Sequence, residues 1–69
     1  MLELYIKDGC PHCQKQIEQL ELEGLAYQLH NISNDRAALQ AAKKKHGANM
    51  VPVLVENGKV KSIGYKGMG

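Results

Sequence analysis

What this sequence lacks narrows its chemistry before any motif is read. It holds neither Trp nor Phe among 69 residues, and only three Tyr, so the core must be built from Leu, Ile, Val, Ala and Met. A chain of this size buries only about 60% of the surface its unfolded form exposes, which predicts one domain, residues 1–69, of modest stability. Charge of one sign is also scarce: nine Lys and Arg against seven Asp and Glu leave a net +2, too little to point to nucleic acid. Met1 to Lys7 has neither a basic leader nor an apolar h-region, and no transmembrane stretch follows. The expectation is a cytoplasmic protein, a monomer, with no membrane contact. Two cysteines separated by two residues would close too small a loop to staple the fold, because disulfide stabilisation grows with loop length. In a compartment that keeps thiols reduced, a disulfide is usually transient and catalytic.

Those two cysteines lie in Cys10-Pro11-His12-Cys13, directly after an apolar strand-like run and at the mouth of a helix. At a helix N-terminus the unpaired backbone N–H groups and the positive dipole end stabilise a thiolate, here on Cys10. Pro11 suits the first helical position, where its missing N–H is no loss and its φ is already helical. Cys13, one turn deeper, is near enough to close a disulfide with Cys10 and eject a bound partner. The spacing thus supplies an exposed nucleophile and a buried resolver. His12, between them, either donates a hydrogen bond or positive charge to the sulfur or is a plain solvent-exposed helix residue.

Leu2, Leu4 and Ile6 alternate with Glu3 and Tyr5, the period of a strand over about residues 2 to 7, and Asp8-Gly9 turns the chain into the motif. Cys13, Ile17 and Leu20 recur at helical spacing, and Gly24 stops that helix after about residue 23. Alternation from Leu25 to Ile32 reads as a second strand, and Ser33-Asn34-Asp35 opens a helix that Gly47 ends. Its apolar stripe is Ala38, Leu39 and Ala42; the run Lys43-Lys44-Lys45 falls in its last turn, where cations meet the dipole favourably. Val51 to Glu56, Asn57-Gly58 and Lys59 to Ile63 form a hairpin, Asn-Gly being a strong short-range signal for one. The order β-α-β-α-β-β predicts an α/β domain with a four-stranded mixed sheet, its first two strands parallel. A C-x-x-C beside a βαβ pattern reads as thioredoxin-like, here in its minimal form with no third, C-terminal helix.

With these residues in order, the chain resembles a glutaredoxin over nearly its whole length. Lys7 stands three before the first cysteine, Cys10-Pro11-His12-Cys13 takes the place of C-P-Y-C, Met50-Val51-Pro52 that of T-V-P, and Gly64 lies near the end. The resemblance implies a thiol–disulfide oxidoreductase that binds no cofactor, with glutathione as co-substrate and disulfide-containing client proteins as partners. It implies that Cys10 attacks and Cys13 resolves, and that Pro11 and His12 border the substrate. Lys7 would meet a carboxylate of glutathione. Val51-Pro52 would carry the cis-proline that this fold sets opposite the sulfurs, leaving the backbone of the preceding residue free to pair with a substrate. Met50 lacks the hydroxyl of the family's threonine but keeps its backbone. The tail Ile63-Gly64-Tyr65-Lys66-Gly67 has no acid where many members have one. Its Gly64-Tyr65 portion is similar to glutaredoxin-like proteins that are reduced by thioredoxin reductase and feed ribonucleotide reductase. Both electron sources therefore stay open.

Two metal readings compete. Copper chaperones of this length also carry C-x-x-C at their first helix, and soft thiolates suit Cu(I). They resemble β-α-β-β-α-β, however, and give Val51-Pro52 no role. A zinc site of Cys10, Cys13, His30 and His46 lacks the short histidine spacing of such sites. The expectation is no metal.

Overall fold

The computed structural model describes residues 1–47 and 50–64. Strand β1 (Leu2–Ile6) leads through Asp8 and Gly9 into helix α1 (Pro11–Leu22), followed by strand β2 (Tyr27–Asn31) and helix α2 (Arg36–Gln40). A π-helical turn, Ala41–Lys45, continues α2, and the chain ends its described part in the hairpin β3 (Val53–Glu56) and β4 (Lys59–Ile63). The sheet order is β2-β1-β3-β4, with β1 parallel to β2 and antiparallel to β3, as the order of elements predicts. Among the described residues no helix is long and apolar enough to cross a membrane.

The helix that carries the motif is closed at both ends by local chemistry. Cys10 is its N-cap and Pro11 its first residue. At the other end the Gly24 N–H donates to the Glu21 carbonyl and the Leu25 N–H to the Leu20 carbonyl, both at 3.1 Å. With Gly24 at φ +70°, this is the paired ending that a left-handed residue allows. It also explains why β2 starts at Tyr27 and not at Leu25: the Leu25 N–H is committed to the helix.

Alternation along β1 predicts one apolar and one polar face, but β1 is an inner strand and both faces are covered. Leu2, Leu4, Leu20 and Leu54 pack together, with Ile17 and Tyr27 against them, on the α1 side. Tyr5, Val53, Val55, Ala38 and Ala42 fill the α2 side, in a cluster that extends to Cys10, Cys13 and Val51. The motif therefore rests on the core that the sheet builds beneath it.

The second helix departs from its predicted form. Five residues are α-helical, and then the His46 N–H reaches back to the Ala41 carbonyl at 3.0 Å, the i to i−5 bond of a π turn. Its start is well fixed. One Asp35 carboxylate oxygen accepts from the N–H groups of Ala37 at 3.0 Å and Ala38 at 3.2 Å. Asp35→Ala is expected to lower stability by about 1 kcal/mol, the usual cost of losing such a cap. Urea unfolding of the two proteins reads this directly, and equal midpoints would mean that packing alone holds the segment.

Asn57 and Gly58 take φ +51° and +83°, the two left-handed positions of a tight hairpin turn. A bulge between Leu54 and Val55 then shifts the register. β3 begins at Val53, two residues later than the apolar run suggests, because Pro52 has no N–H to give to the ladder.

Candidate active site

The carboxyl ends of parallel strands are where open α/β sheets place their sites, and here β1 and β2 end side by side. The Asp8 N–H donates to Ser33 Oγ at 2.9 Å, and Asn31 Nδ2 donates to Asp8 Oδ1 at 2.8 Å. These bonds tie the turn before Cys10 to the end of β2. Gly9 follows with φ +72°, a conformation that favours glycine. Asn31 and Ser33 read in the sequence as a strand end and cap-type residues. Only the pairing of β1 with β2 shows them as supports of the motif.

Cys10 caps α1 with its own sulfur: the Cys13 N–H donates to Cys10 Sγ at 3.3 Å. A polar side chain at this position normally answers one of the four orphan N–H groups of a helix start. The sulfur of Cys10 does so here, which puts a hydrogen-bond donor and the positive helix end on the same atom. Both cysteines are free thiols.

Exposure corrects one expectation. Cys10, expected to be exposed, is 7% accessible, and Cys13 is 2% accessible. The covering comes from the core cluster that includes Val51 and Val53. The order of access is nevertheless the expected one. Both cysteines border a groove of about 460 Å³, together with Lys7, Asp8, Gln14 and Ile17. Burial pushes the Cys13 thiol up to about 12 from its ordinary 9.0, and the hydrogen bond and charge of Cys10 add to the rise. The backbone N–H and the ammonium of Lys7 act against it.

The remaining residues expected at the site divide by place. Pro11 and Lys7 are exposed, and Lys7 borders the groove. His12 is half-buried, and its Nδ1 is buried with no hydrogen-bond partner. Val51 is 5% accessible, the Val51-Pro52 peptide is cis, and Pro52 is fully buried. Met50, by contrast, is 40% accessible. The buried Gly64, at φ +79°, donates its N–H to the Pro52 carbonyl at 2.6 Å, so the end of β4 closes over the proline. Tyr65 lies outside the described residues.

The histidines of the zinc reading are otherwise engaged. His30 bonds Glu3 Oε1 at 3.1 Å and stacks on Tyr5, with ring centroids 4.7 Å apart; His46 leans on the same ring at 5.4 Å. Among the described residues no three His, Cys, Asp or Glu side chains are grouped to hold a metal ion.

A four-stranded mixed sheet with a capping dithiol on one side and a cis-proline in the adjoining loop defines a thioredoxin-like protein. The sequence profile of the glutaredoxins matches residues 2–61, and the chain belongs to the glutaredoxin family, a family of thiol–disulfide oxidoreductases. Solved structures agree. The thioredoxin-like protein BC3987 is 26% identical with a TM-score of 0.89, over 94% of this chain and 88% of that one. Buckwheat glutaredoxin, solved as a glutathione complex, is 25% identical with a TM-score of 0.78, over 94% of this chain. This chain spans 61% of the buckwheat protein's length. A glutaredoxin from Archaeoglobus fulgidus is 26% identical with a TM-score of 0.75, over 93% of this chain and 74% of that one. No curated protein sequence matches the chain.

Proposed function

We propose that this chain is a dithiol disulfide reductase of the cytoplasm, a monomer of one domain, acting on protein disulfides and on mixed disulfides with glutathione. The observation that carries this reading is the Cys13 N–H on Cys10 Sγ at the start of α1, in a groove that both sulfurs border. The Cys10 thiolate attacks one sulfur of the substrate disulfide. A bond forms between them, and the other sulfur leaves as a thiolate. Cys13 loses its proton and attacks Cys10 Sγ, forming the Cys10–Cys13 disulfide and releasing the second thiol. The substrate has then gained two electrons and the protein has lost two. Two glutathione thiols restore the pair by the same exchange run in reverse, and leave as oxidised glutathione.

Pro11, His12, Met50, Val51, Pro52, Gly64 and Tyr65 are the further residues assigned to substrate contact. Lys7 is assigned to a carboxylate of glutathione, as the base that the family carries at this position. Glutathione as co-substrate is supported by the family and by the buckwheat protein, which was solved with glutathione. A second electron source, thioredoxin reductase, stays as the alternative on the sequence Gly64-Tyr65-Lys66, which is similar to that of glutaredoxin-like proteins reduced by thioredoxin reductase.

The test is reduction of the oxidised protein with NADPH, supplied once with glutathione and glutathione reductase and once with thioredoxin reductase. Turnover of a small disulfide is expected with the glutathione couple. Turnover with thioredoxin reductase alone would reassign the electron source. No turnover with either, together with one tightly held copper or zinc per chain, would replace this reading with a metal-carrying one.

A further inference from the structure

The groove beside the two sulfurs has walls that the disulfide exchange itself does not use. Its volume is about 460 Å³, and it is open to solvent on one side. The apolar wall is made by Ile6 at the end of β1 and Ile17 on α1, both half-buried. Ile17 follows Cys13 by four residues and Cys10 by seven, so the three line one side of the first turns of α1. Exposed Gln14 stands among them. The apolar surface also continues beyond the groove: Leu29 on β2 pairs with Leu4, shares with Leu4 and Ile6 the sheet face that α1 covers, and is 47% accessible.

Charge restricts what fills this space. The charged residues of the groove are Lys7 and Asp8, one of each sign, and one oxygen of Asp8 already accepts from Asn31. The two oppose each other, so the groove favours no ion. What it offers is apolar surface in water. Position restricts the occupant further. Both cysteines border this groove, whereas the smaller cleft on the α2 side, floored by Ile32, Leu39 and Ala42, is bordered by neither. A client sulfur joined to Cys10 therefore lies at the groove, and the residues beside that sulfur are the ones that reach its wall. From Cys10 to Ile17 the chain rises about 10 Å along the helix, at about 1.5 Å per residue. An extended client covers this in about three residues, at roughly 3.3 Å each. At about 30 Å³ per water, the groove holds on the order of fifteen waters, which is room for one large side chain and the backbone that carries it.

Building on the oxidoreductase reading above, we infer that Ile6 and Ile17 form a subsite for a large apolar side chain of the client, within about three residues of its reacting cysteine. That side chain displaces water from the groove, and Leu29 extends the contact for clients that run on past β2. Ile17 is the specificity residue, since it projects from the same side of α1 as the two sulfurs. Clients are thus sorted on the α1 side of the motif by apolar fit. Glutathione, which has no apolar side chain beside its cysteine, gains nothing there.

The probes are blocked peptides carrying one cysteine as a mixed disulfide, identical except for Leu or the similarly shaped Asn at each position within about three residues of that cysteine. Wild-type protein is expected to prefer the Leu peptide at one or more positions by about tenfold in kcat/KM, the low end for an apolar pocket because this one is open to water. Ile17→Thr is expected to cut this ratio to about threefold, the loss of roughly one buried methylene. Glu18→Gln, on the exposed side of the same helix, should leave the ratio in place. At about 0.5 M salt, where the Debye length falls to about 4 Å, the preference should persist. A second measurement does not depend on the folding of Ile17→Thr: the Leu peptide trapped on Cys13→Ser should shift the methyl resonances of Ile6 and Ile17 and spare those of Ile32 and Leu39. Equal rates for the Leu and Asn peptides would overturn the inference, as would a ratio that Ile17→Thr leaves intact or that salt abolishes. Methyl shifts at Ile32 and Leu39 in place of Ile6 and Ile17 would also reject it, since the client would then lie on the α2 side. Reduction of every peptide at one rate sinks this inference alone. Failure to reduce any of them would defeat the oxidoreductase reading itself, and this inference with it.

Discussion

Cys10→Ser is expected to lower disulfide turnover by at least about a thousandfold, the scale of loss when a nucleophile is removed, while leaving the fold intact. The separation of these two effects follows from the double duty of the sulfur. Cys10 Sγ accepts the Cys13 N–H and so caps α1, and serine is among the best residues at that position. The variant keeps its cap and loses its thiolate, because a serine hydroxyl is not ionised near neutral pH. Cys13→Ser separates the second step from the first: the first sulfur still attacks, but nothing within the chain releases the client. A mixed disulfide of one client per chain should then accumulate and be visible by mass. The measurement is turnover and unfolding midpoint on the same samples. Residual turnover of Cys10→Ser near the wild-type rate, or trapping by Cys10→Ser in place of Cys13→Ser, would reverse the assigned roles.

The parts of this fold that are legible in the sequence are those decided within a few residues. Asn57-Gly58 fixes a turn through its own φ angles, and Cys10-Pro11 marks a helix start through cap and ring. Gly24 marks the end of that helix in the same way. The parts that escape the sequence depend on partners far along the chain. Tyr5 alternates with leucines like a surface position, yet it is buried because β1 lies inside the sheet. Leu29 alternates like a core position, yet it is 47% accessible because β2 is an edge strand. The Ala41–Lys45 segment favours any helical form, and its own residues do not distinguish an α turn from a π turn. At the site, the spacing of Cys10 and Cys13 points to the dithiol and the family resemblance to Val51-Pro52. The burial of Cys10, the unpartnered Nδ1 of His12 and the placing of Ile6 and Ile17 beside the sulfurs arise only from packing.

The reduced protein is expected to lose stability steeply in alkali, because its resolving thiol is held far from its ordinary ionisation. The Cys13 thiol stands at about 12 in the folded chain against 9.0 ordinarily, raised mainly by burial. A raised folded value means that the unfolded chain gives up this proton first. Below pH 9 both states hold it and the contribution is complete. Between 9 and about 12 only the unfolded state ionises, and stability falls by up to about 1.4 kcal/mol per pH unit. Tyr5 is raised as well, by burial and then by Glu3, and pushes in the same direction. The informative quantity is therefore the difference in slope between wild type and Cys13→Ala, measured as unfolding free energy from pH 8.5 to about 11. Parallel slopes would show that Cys13 is not held in this way. The same balance orders the chemistry. Before attack, the bond and charge of Cys10 help to keep Cys13 a thiol; once Cys10 is bonded to a client those two contributions vanish, while the pull of Lys7 remains. Burial still favours the thiol, but Cys13 is brought closest to ionisation in the one state where its attack completes the exchange.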